Sequence, residues 1–551
     1  LKSASILHRT CAIHIPYIVM HTDATSIVEE GQECEQYDES TDAPSWFEWR
    51  KFLRYCGPGF LMSIAYLDPG NLEADLQQGA YSGFDLVWVL FFAHVAGFII
   101  QTLAAKLGNV TGQSLAQVCR KEMPYGTSLF VYVMTEVAII ATDIQEVLGT
   151  AIAWEILLGL HLWQGCLLTS LHALIVLAAE SHGASKLEAV IVTLVGTMAV
   201  CFGVNFMQIS PSFSTVMGGF VPSLQRYALR PAIGTVGAVI MPHNIYLHSA
   251  LVLSRPIDRT RNKEVREANK YCTIDAGLAL SICFATNLAV VGCFATNFFS
   301  PVCAGAATTS ACLEPKLKRA SFGNYGTCVV GSKPGVCSEV GLRSAGDALA
   351  VSLGHIGRYV WAIGLLAAGI SSTTTSTYAG QFVMEGFLEL KMPPWVRVVL
   401  ARLAALLPAV LIAIAAASWG PLADSVGQWL NVLQSVQLPF ALLPILIYTD
   451  SVRIMGAFRN DKFVSSICWI LAGLVMLANA YLVIDFVTDV RSPTPHKLWF
   501  YILVGFCGIV YFGSLLTIVT NEVSKDRMEE ATSIAAYTKK LISYGGYASK
   551  D

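Results

Sequence analysis

A carboxylate, an amide and a thioether stand at two points where membrane-length apolar runs are broken. In the first run, FLMSIAYLDPGNLEADL, Asp68 and Asn71 flank the pair Pro69-Gly70. In the second, AVIMPHNIYLHSALVL, Met241 precedes Pro242 and His243. Proline lacks a backbone donor and obstructs the helix, so each break frees polar backbone groups that lipid cannot satisfy. A charged Asp in mid-span costs about 2.5–3.5 kcal/mol on insertion scales, so Asp68 requires a cation, a proton or a buried partner. The oxygens of Asp68 and Asn71, with an unwound carbonyl such as that of Ala238, would by themselves suit a hard ion. The thioether of Met241 discriminates against Mg²⁺ and Ca²⁺ and favours a softer transition metal. A Met in an apolar span ordinarily serves as packing; its place beside the break gives it a chemical reading. Glu73 and Asp75, beyond the break, are expected in an outer vestibule or at the helix start, where carboxylates are favoured.

The elements that hold these groups must be membrane helices. Of 551 residues, 54% are hydrophobic and 14% charged, with a mean hydropathy of +0.55, whereas a soluble domain carries about 25% charged residues. Runs of about 20 apolar residues, enough to cross about 30 Å, fall near 57–82, 84–105, 127–155, 162–180, 186–206, 230–254, 273–298, 346–369, 396–417, 424–449, 464–487 and 497–520. The breaks lie in the first and the sixth. Matching breaks in two halves mark an inverted repeat whose unwound segments meet near the midplane. The fold class expected is therefore an all-α polytopic membrane protein of about twelve helices. Its organisation is a leader over 1–50, a first repeat over 51–225 and an inverted second repeat over 226–450. Two further spans follow over 451–521, and a tail over 522–551.

Arg50, Lys51 and Arg54 precede the first span, six Lys and Arg lie from Arg255 to Lys270, and Lys525, Arg527, Lys539 and Lys540 are among those that follow the twelfth span. The positive-inside rule then puts both termini in the cytoplasm. The leader, with its acidic EEGQECEQYDESTD, reads as disordered, and His8, His14 and His21 in it as ordinary tail composition. A net charge of −3 offers nothing for nucleic acid. Four of the fifteen cysteines, Cys303, Cys312, Cys328 and Cys337, share the exoplasmic connection 299–345. An oxidising side favours their pairing, in any of three connectivities. The one sequon, Asn109-Val110-Thr111, falls on the cytoplasmic side and is expected to be unused.

DPGN at 68–71, MPH at 241–243 and AAGISSTTTSTYAGQFVMEGF at 367–387 together resemble the Nramp family of proton-coupled divalent metal transporters, over about Pro58 to Thr520. The resemblance implies a LeuT-like fold with a 5+5 inverted repeat, and proton-coupled import of Mn²⁺ or Fe²⁺, with Cd²⁺ as a further substrate. It implies metal ligands at Asp68, Asn71, Met241 and the carbonyls of Ala65 and Ala238, joined in some states by Gln434. Metal and proton are cargo, so no resident cofactor is expected. Glu136, Asp143 and Glu146 match the family's acidic proton route, and their spacing puts all three on one helical face. Arg402 is the partner that the resemblance implies for them. His243, beside the break, is the proton-linked histidine, while His248, about 140° further round the helix, is equally suited to a structural hydrogen bond. The chain departs from the family's usual motif at Ile370 and Ser376, where glutamine and glycine are common; that bears on gating or rate, not on substrate class.

Two other readings use the same broken helices: a carrier of organic solutes, and a non-transporting membrane receptor on an Nramp-like body. The first would not need a thioether beside an aspartate. The second would carry a large soluble output domain, whereas residues 521–551 alone follow the last span. An enzyme is not expected, since no nucleophile and base pair stands in a recognisable pocket. The home membrane is plasma, endosomal or vacuolar; Tyr17-Ile18-Val19-Met20 fits a tyrosine sorting pattern.

Overall fold

Proline at a helix's first position is tolerated, because the N–H it lacks would be unsatisfied there anyway. Pro58, Pro69, Pro242 and Pro439 all take that position, and they set the architecture. The computed structural model describes residues 47–169, 184–306, 310–313, 327–330, 333–389, 394–418, 422–488 and 498–520. A short α1 (Trp49–Tyr55) leads into the first span, which is two half-helices, α2 (Pro58–Ile64) and α3 (Pro69–Ser82). α4 (Val87–Thr111) and α6 (Tyr125–Leu158) are the second and third spans, joined by α5 (Leu115–Glu122), which opens on a capping box of Ser114 and Gln117. α7 covers residues 162–169, and the rest of the expected fourth span lies outside the described residues, as do nearly all of the leader and the whole tail after 520. α8 (Ala184–Ile209) is the fifth span, followed by α9 (Phe213–Gly218). The sixth is divided into α10 (Leu229–Val239) and α11 (Pro242–Leu251).

The seventh span is α12 (Asn262–Phe298), and α13 (Pro301–Ala306) follows. A small sheet of β1 (Ala311–Leu313), β2 (Thr327–Val330) and β3 (Lys333–Ser338) has the order β1-β3-β2, antiparallel throughout. Two disulfides staple it: Cys303 to Cys337 and Cys312 to Cys328. α14 (Leu342–Leu388), which is kinked at Gly354 where φ is +76°, α15 (Pro394–Ser418), α16 (Leu422–Gln437) and α17 (Pro439–Asp450) complete the second set. α18 (Val452–Met455), α19 (Lys462–Thr488) and α20 (Leu498–Thr520) follow.

Two features differ from expectation. The tenth span bends at Leu438, ahead of Pro439, while Leu438 itself keeps helical dihedrals of −53° and −41°. The motif at 367–387, expected after the eighth span, continues that same helix to Leu388. Ser371, Ser372, Thr375, Ser376 and Thr377 donate to carbonyls three or four residues back, as Ser371 does to Ala367 and Thr377 to Thr373, which satisfies hydroxyls that would otherwise compete with the backbone.

Burial ranks the spans. In its most apolar window the sixth is 89% buried, against 22% for the eleventh and 11% for the twelfth. The broken helices therefore form the centre and α19 and α20 the lipid-facing flank. Glycines let the broken segment seat closely: a Cβ on Gly149 of α6 would lie 2.5 Å from the Pro69 Cβ, and one on Gly79 of α3 would lie 2.4 Å from the Val291 carbonyl of α12. Each end of the broken first span is held by a carboxylate. Asp275 accepts from the Gly57 and Gly59 amides at 3.1 and 2.7 Å, which caps α2. Glu73 of α3 accepts from the Leu342 amide at 2.8 Å, which caps α14.

Non-reducing peptide mapping is expected to recover the Cys303–Cys337 and Cys312–Cys328 peptides linked, and not the other pairings. Gly149→Ala forces a methyl against Pro69; overpacking of this kind costs about 1–3 kcal/mol, to be read as a lowered melting temperature in detergent.

Candidate functional site

The residue four positions before each proline loses its helical donor. Pro69 leaves the Ala65 carbonyl without one, and Pro242 leaves that of Ala238. Ala65 is the C-cap of α2, and the chain turns through Tyr66 and Leu67 before Asp68 opens α3 as its N-cap. The Asp68 Oδ1 accepts from the Asn71 amide and from Asn71 Nδ2, both at 2.8 Å. Asn71 Nδ2 also reaches the freed Ala65 carbonyl at 3.4 Å. At the second break α10 ends on Val239, and Met241, in extended conformation with φ −80° and ψ 133°, is the N-cap of α11.

One residue stands against both breaks, by its side chain at the first and its backbone at the second. Asn431 of α16 donates from Nδ2 to the Gly70 carbonyl at 3.2 Å. Its own carbonyl lies 2.9 Å from where a Cβ on Gly237 would stand. Gln145 of α6 completes the contact: it donates to Asn431 Oδ1 at 2.8 Å and to the Gly427 carbonyl at 2.9 Å, and accepts from Gln434 Nε2 at 2.5 Å. Both amides are placed by the glycines, since a Cβ on Gly70 would stand 2.8 Å from Gln145 Oε1.

The hydrogen bonds leave a particular set of atoms over. Asp68 Oδ2, Asn71 Oδ1 and Gln434 Oε1 are buried without a hydrogen-bond partner, as is His243 Nδ1. Leaving such a group unmet costs about 1–3 kcal/mol each. Asp68, Asn71 and Gln434 thus each spend one side-chain atom on a neighbour and keep one oxygen open, the disposition a cation requires. Met241, the N-cap of α11 at the second break, is 1% exposed.

The acids of α6 form a second cluster. Arg402 of α15 approaches Asp143 Oδ1 at 3.4 Å and donates to the Thr373 carbonyl and the Thr377 hydroxyl of α14. Ser376 donates to Glu146 Oε2 at 2.8 Å and stands 3.5 Å from Arg402. Ser376, one of the two departures noted in the sequence, therefore supplies a hydroxyl to this cluster. Glu136 lies further along α6, with Oε1 buried and unpartnered. His248 has a different neighbourhood: its Nδ1 meets Gln101 Oε1 at 2.8 Å, and Gln101 donates to the Tyr66 hydroxyl at 3.1 Å.

Glu73 and Asp75 are buried in this conformation, each 1% exposed. The helix that follows the break turns inward against α12 and α10, so Glu73 serves the start of α14, and both Asp75 oxygens are buried without a hydrogen-bond partner. Gln145, Asn431 and the bend at Pro439 went unread in the sequence. Gln145 sits between two of the acids already noted, and Asn431 one turn before Gln434, so spacing would have found both.

A family model described as natural resistance-associated macrophage protein-like, Nramp, matches residues 59–485. The chain is 44% identical to the metal transporter nramp1 homolog of Dictyostelium discoideum over 445 residues, 80% of this chain and 76% of that one. It is 42% identical to the metal transporter Nramp4 of Arabidopsis thaliana over 465 residues, 83% and 84% of the two. The structure is similar to a crystal structure of the Eremococcus coleocola manganese transporter, with a TM-score of 0.74 and 26% identity, covering 89% of this chain and 99% of that one.

Gln145→Leu takes away the acceptor that orients Gln434 and two donors to α16. A lost network of this size should destabilise the fold by about 1–3 kcal/mol, to be read as a lowered melting temperature in detergent.

Proposed function

The chain belongs to the Nramp family of divalent metal transporters, and from that premise we propose that it imports Mn²⁺ and Fe²⁺, with Cd²⁺ as a further substrate, into the cytosol by proton-coupled alternating access. Its relatives are metal transporters and not enzymes. The observation that carries the reading is the set of open buried oxygens on Asp68, Asn71 and Gln434 at the breaks. The freed carbonyls of Ala65 and Ala238 and the sulfur of Met241 complete a mixed hard and soft donor set. A carrier of organic solutes has no use for that set, and nothing in the site favours it.

The cycle follows from the breaks. Metal entering from the exoplasmic side exchanges part of its water for these donors. Helices divided at their prolines can tilt as halves, so α2 and α11 open the inward path while α3 and α10 close the outward one. The Asp275 contact to Gly57 and Gly59 is then made when the inner end is closed, and the Glu73 contact to Leu342 when the outer end is closed. A metal ligand must be deprotonated, so binding displaces a proton from Asp68, or from His243 beside it. Asp143, Glu146 and Arg402, with Glu136 beyond them, are the route by which that proton leaves. In this scheme His248 holds α11 to α4 through Gln101. Both termini lie in the cytoplasm, and the membrane is plasma, endosomal or vacuolar.

Uptake into proteoliposomes, with Mn²⁺, Fe²⁺, Cd²⁺, Ca²⁺ and Mg²⁺ in competition and with or without an inward proton gradient, tests the reading. Asp68→Ala is expected to abolish Mn²⁺ uptake; normal uptake by this variant sinks the site. Met241→Ala is expected to keep most Mn²⁺ uptake but to lose about tenfold of its exclusion of Ca²⁺, the factor that about 1.4 kcal/mol represents. Unchanged exclusion of Ca²⁺ removes the softness argument.

A further inference from the structure

Away from the transport path, α1 exposes two stripes side by side. Trp49 and Leu53 are 68% and 46% exposed, and Arg50 and Arg54 are exposed next to them. Residues four apart share a helix face, so an apolar edge runs along a basic one. The other face is anchored. Phe52 and Tyr55 are buried, Tyr55 stacks on Tyr271 of α12 at 6.1 Å, and the Glu48 amide donates to the Tyr271 hydroxyl at 3.0 Å. Arg54 lies over the Tyr55 ring at 5.7 Å and Lys270 over the Tyr271 ring at 5.3 Å, so the stacked pair ties both cations to one surface. Beside it the first turns of α12 form an open cleft of about 390 Å³, lined by Asn262, Lys263, Arg266, Glu267 and Lys270.

Charge on this surface is unbalanced in a specific way. Residues 48–54 and 255–270 carry nine cations and four acids. All four acids are engaged by two of those cations: Lys51 pairs with Glu48 and Glu267, and Arg261 with Asp258 and Glu264. Arg255 is buried and donates to the Cys56 carbonyl at 2.6 Å. Arg50, Arg54 and Arg266 have no carboxylate partner among the described residues. These arginines, with an exposed Trp and Leu, lie just ahead of the point where the chain enters its first span at Pro58. An aromatic side chain at headgroup depth with cations at phosphate level is the arrangement of an interfacial helix, and a guanidinium fork matches a phosphate in two bonds.

We propose that α1 and the first turns of α12 bind the headgroup of an anionic phospholipid. Arg54, Arg266 and Lys270 meet the phosphate, while Trp49 and Leu53 lie against the upper acyl chains. Two observations favour a lipid over a soluble phosphate: the apolar stripe, which a soluble anion would leave exposed, and the continuity of α1 with the membrane span. The assignment stands apart from the transport reading, because it concerns binding alone.

Native mass spectrometry of the full chain in detergent, offered equal amounts of phosphatidylglycerol and phosphatidylcholine, tests it. The parent is expected to retain phosphatidylglycerol preferentially. Each neutralised cation removes about fivefold in affinity, so Arg54→Gln with Arg266→Gln should lower that retention by roughly tenfold or more. Arg266→Gln alone should lower it by a smaller factor, and Lys121→Gln, exposed in the last turn of α5, should not change it. Melting temperatures equal to the parent's establish that the variants are folded. Retention unchanged in the double variant overturns the proposal. So does displacement of the lipid by millimolar inorganic phosphate, which makes the site one for soluble anions. A parent with no preference for phosphatidylglycerol also overturns it, and leaves these arginines to the acidic stretch 23–42 of the same chain, which holds eight acids and no Lys or Arg.

Discussion

Everything at the centre of this molecule depends on backbone donors that Pro69 and Pro242 do not have. In water a carbonyl without its helical donor costs little, but inside a membrane it must be met by protein or by an ion. Ala65 and Ala238 carry those carbonyls, and the chain surrounds them with groups that are themselves half-satisfied. The close seating follows from this constraint. Glycines at 70, 149 and 237 let α3, α6, α10 and α16 approach until Asn431 touches both breaks. At Pro439 the helix bends without unwinding: the Ser435 carbonyl that loses its helical donor accepts from Asn479 Nδ2 at 2.7 Å. That carbonyl is met by protein, whereas Asp68 and Asn71 keep open oxygens at the first break.

Much of this was legible in the sequence, because it is expensive in lipid and so leaves a mark. An aspartate beside a Pro-Gly pair, a Met beside a second proline, and three acids on one face of a third span all stand out against apolar surroundings. Residues that act through a neighbour left a fainter mark. Gln145 and Asn431 are neutral amides, ordinary in a polytopic chain, and only their hydrogen bonds to each other, Gly70 and Gln434 reveal what they hold. Glu73 could not be placed because its partner, the Leu342 amide, is 269 positions away. The disulfide pattern was open for the same reason: four cysteines in one loop allow three pairings, and the fold of the sheet selects one.

The donor set and the acid cluster are adjacent yet differently built. Open oxygens and a thioether at the breaks invite a cation, while Asp143 and Glu146 are already met by Arg402 and Ser376. In the proposed cycle the cation sits where oxygens are left open, and the acids that already have partners carry the proton. Ser376 sharpens this division, since the hydroxyl it contributes is one the family's usual glycine cannot supply.

The central claim is that the two breaks make one metal site of oxygens and a single sulfur. An anomalous difference map from crystals grown with Mn²⁺ tests it directly. The account predicts one strong buried peak, within bonding distance of the Asp68 carboxylate, the Asn71 oxygen and the Met241 sulfur. A well-occupied peak elsewhere, with none between Asp68 and Met241, contradicts it.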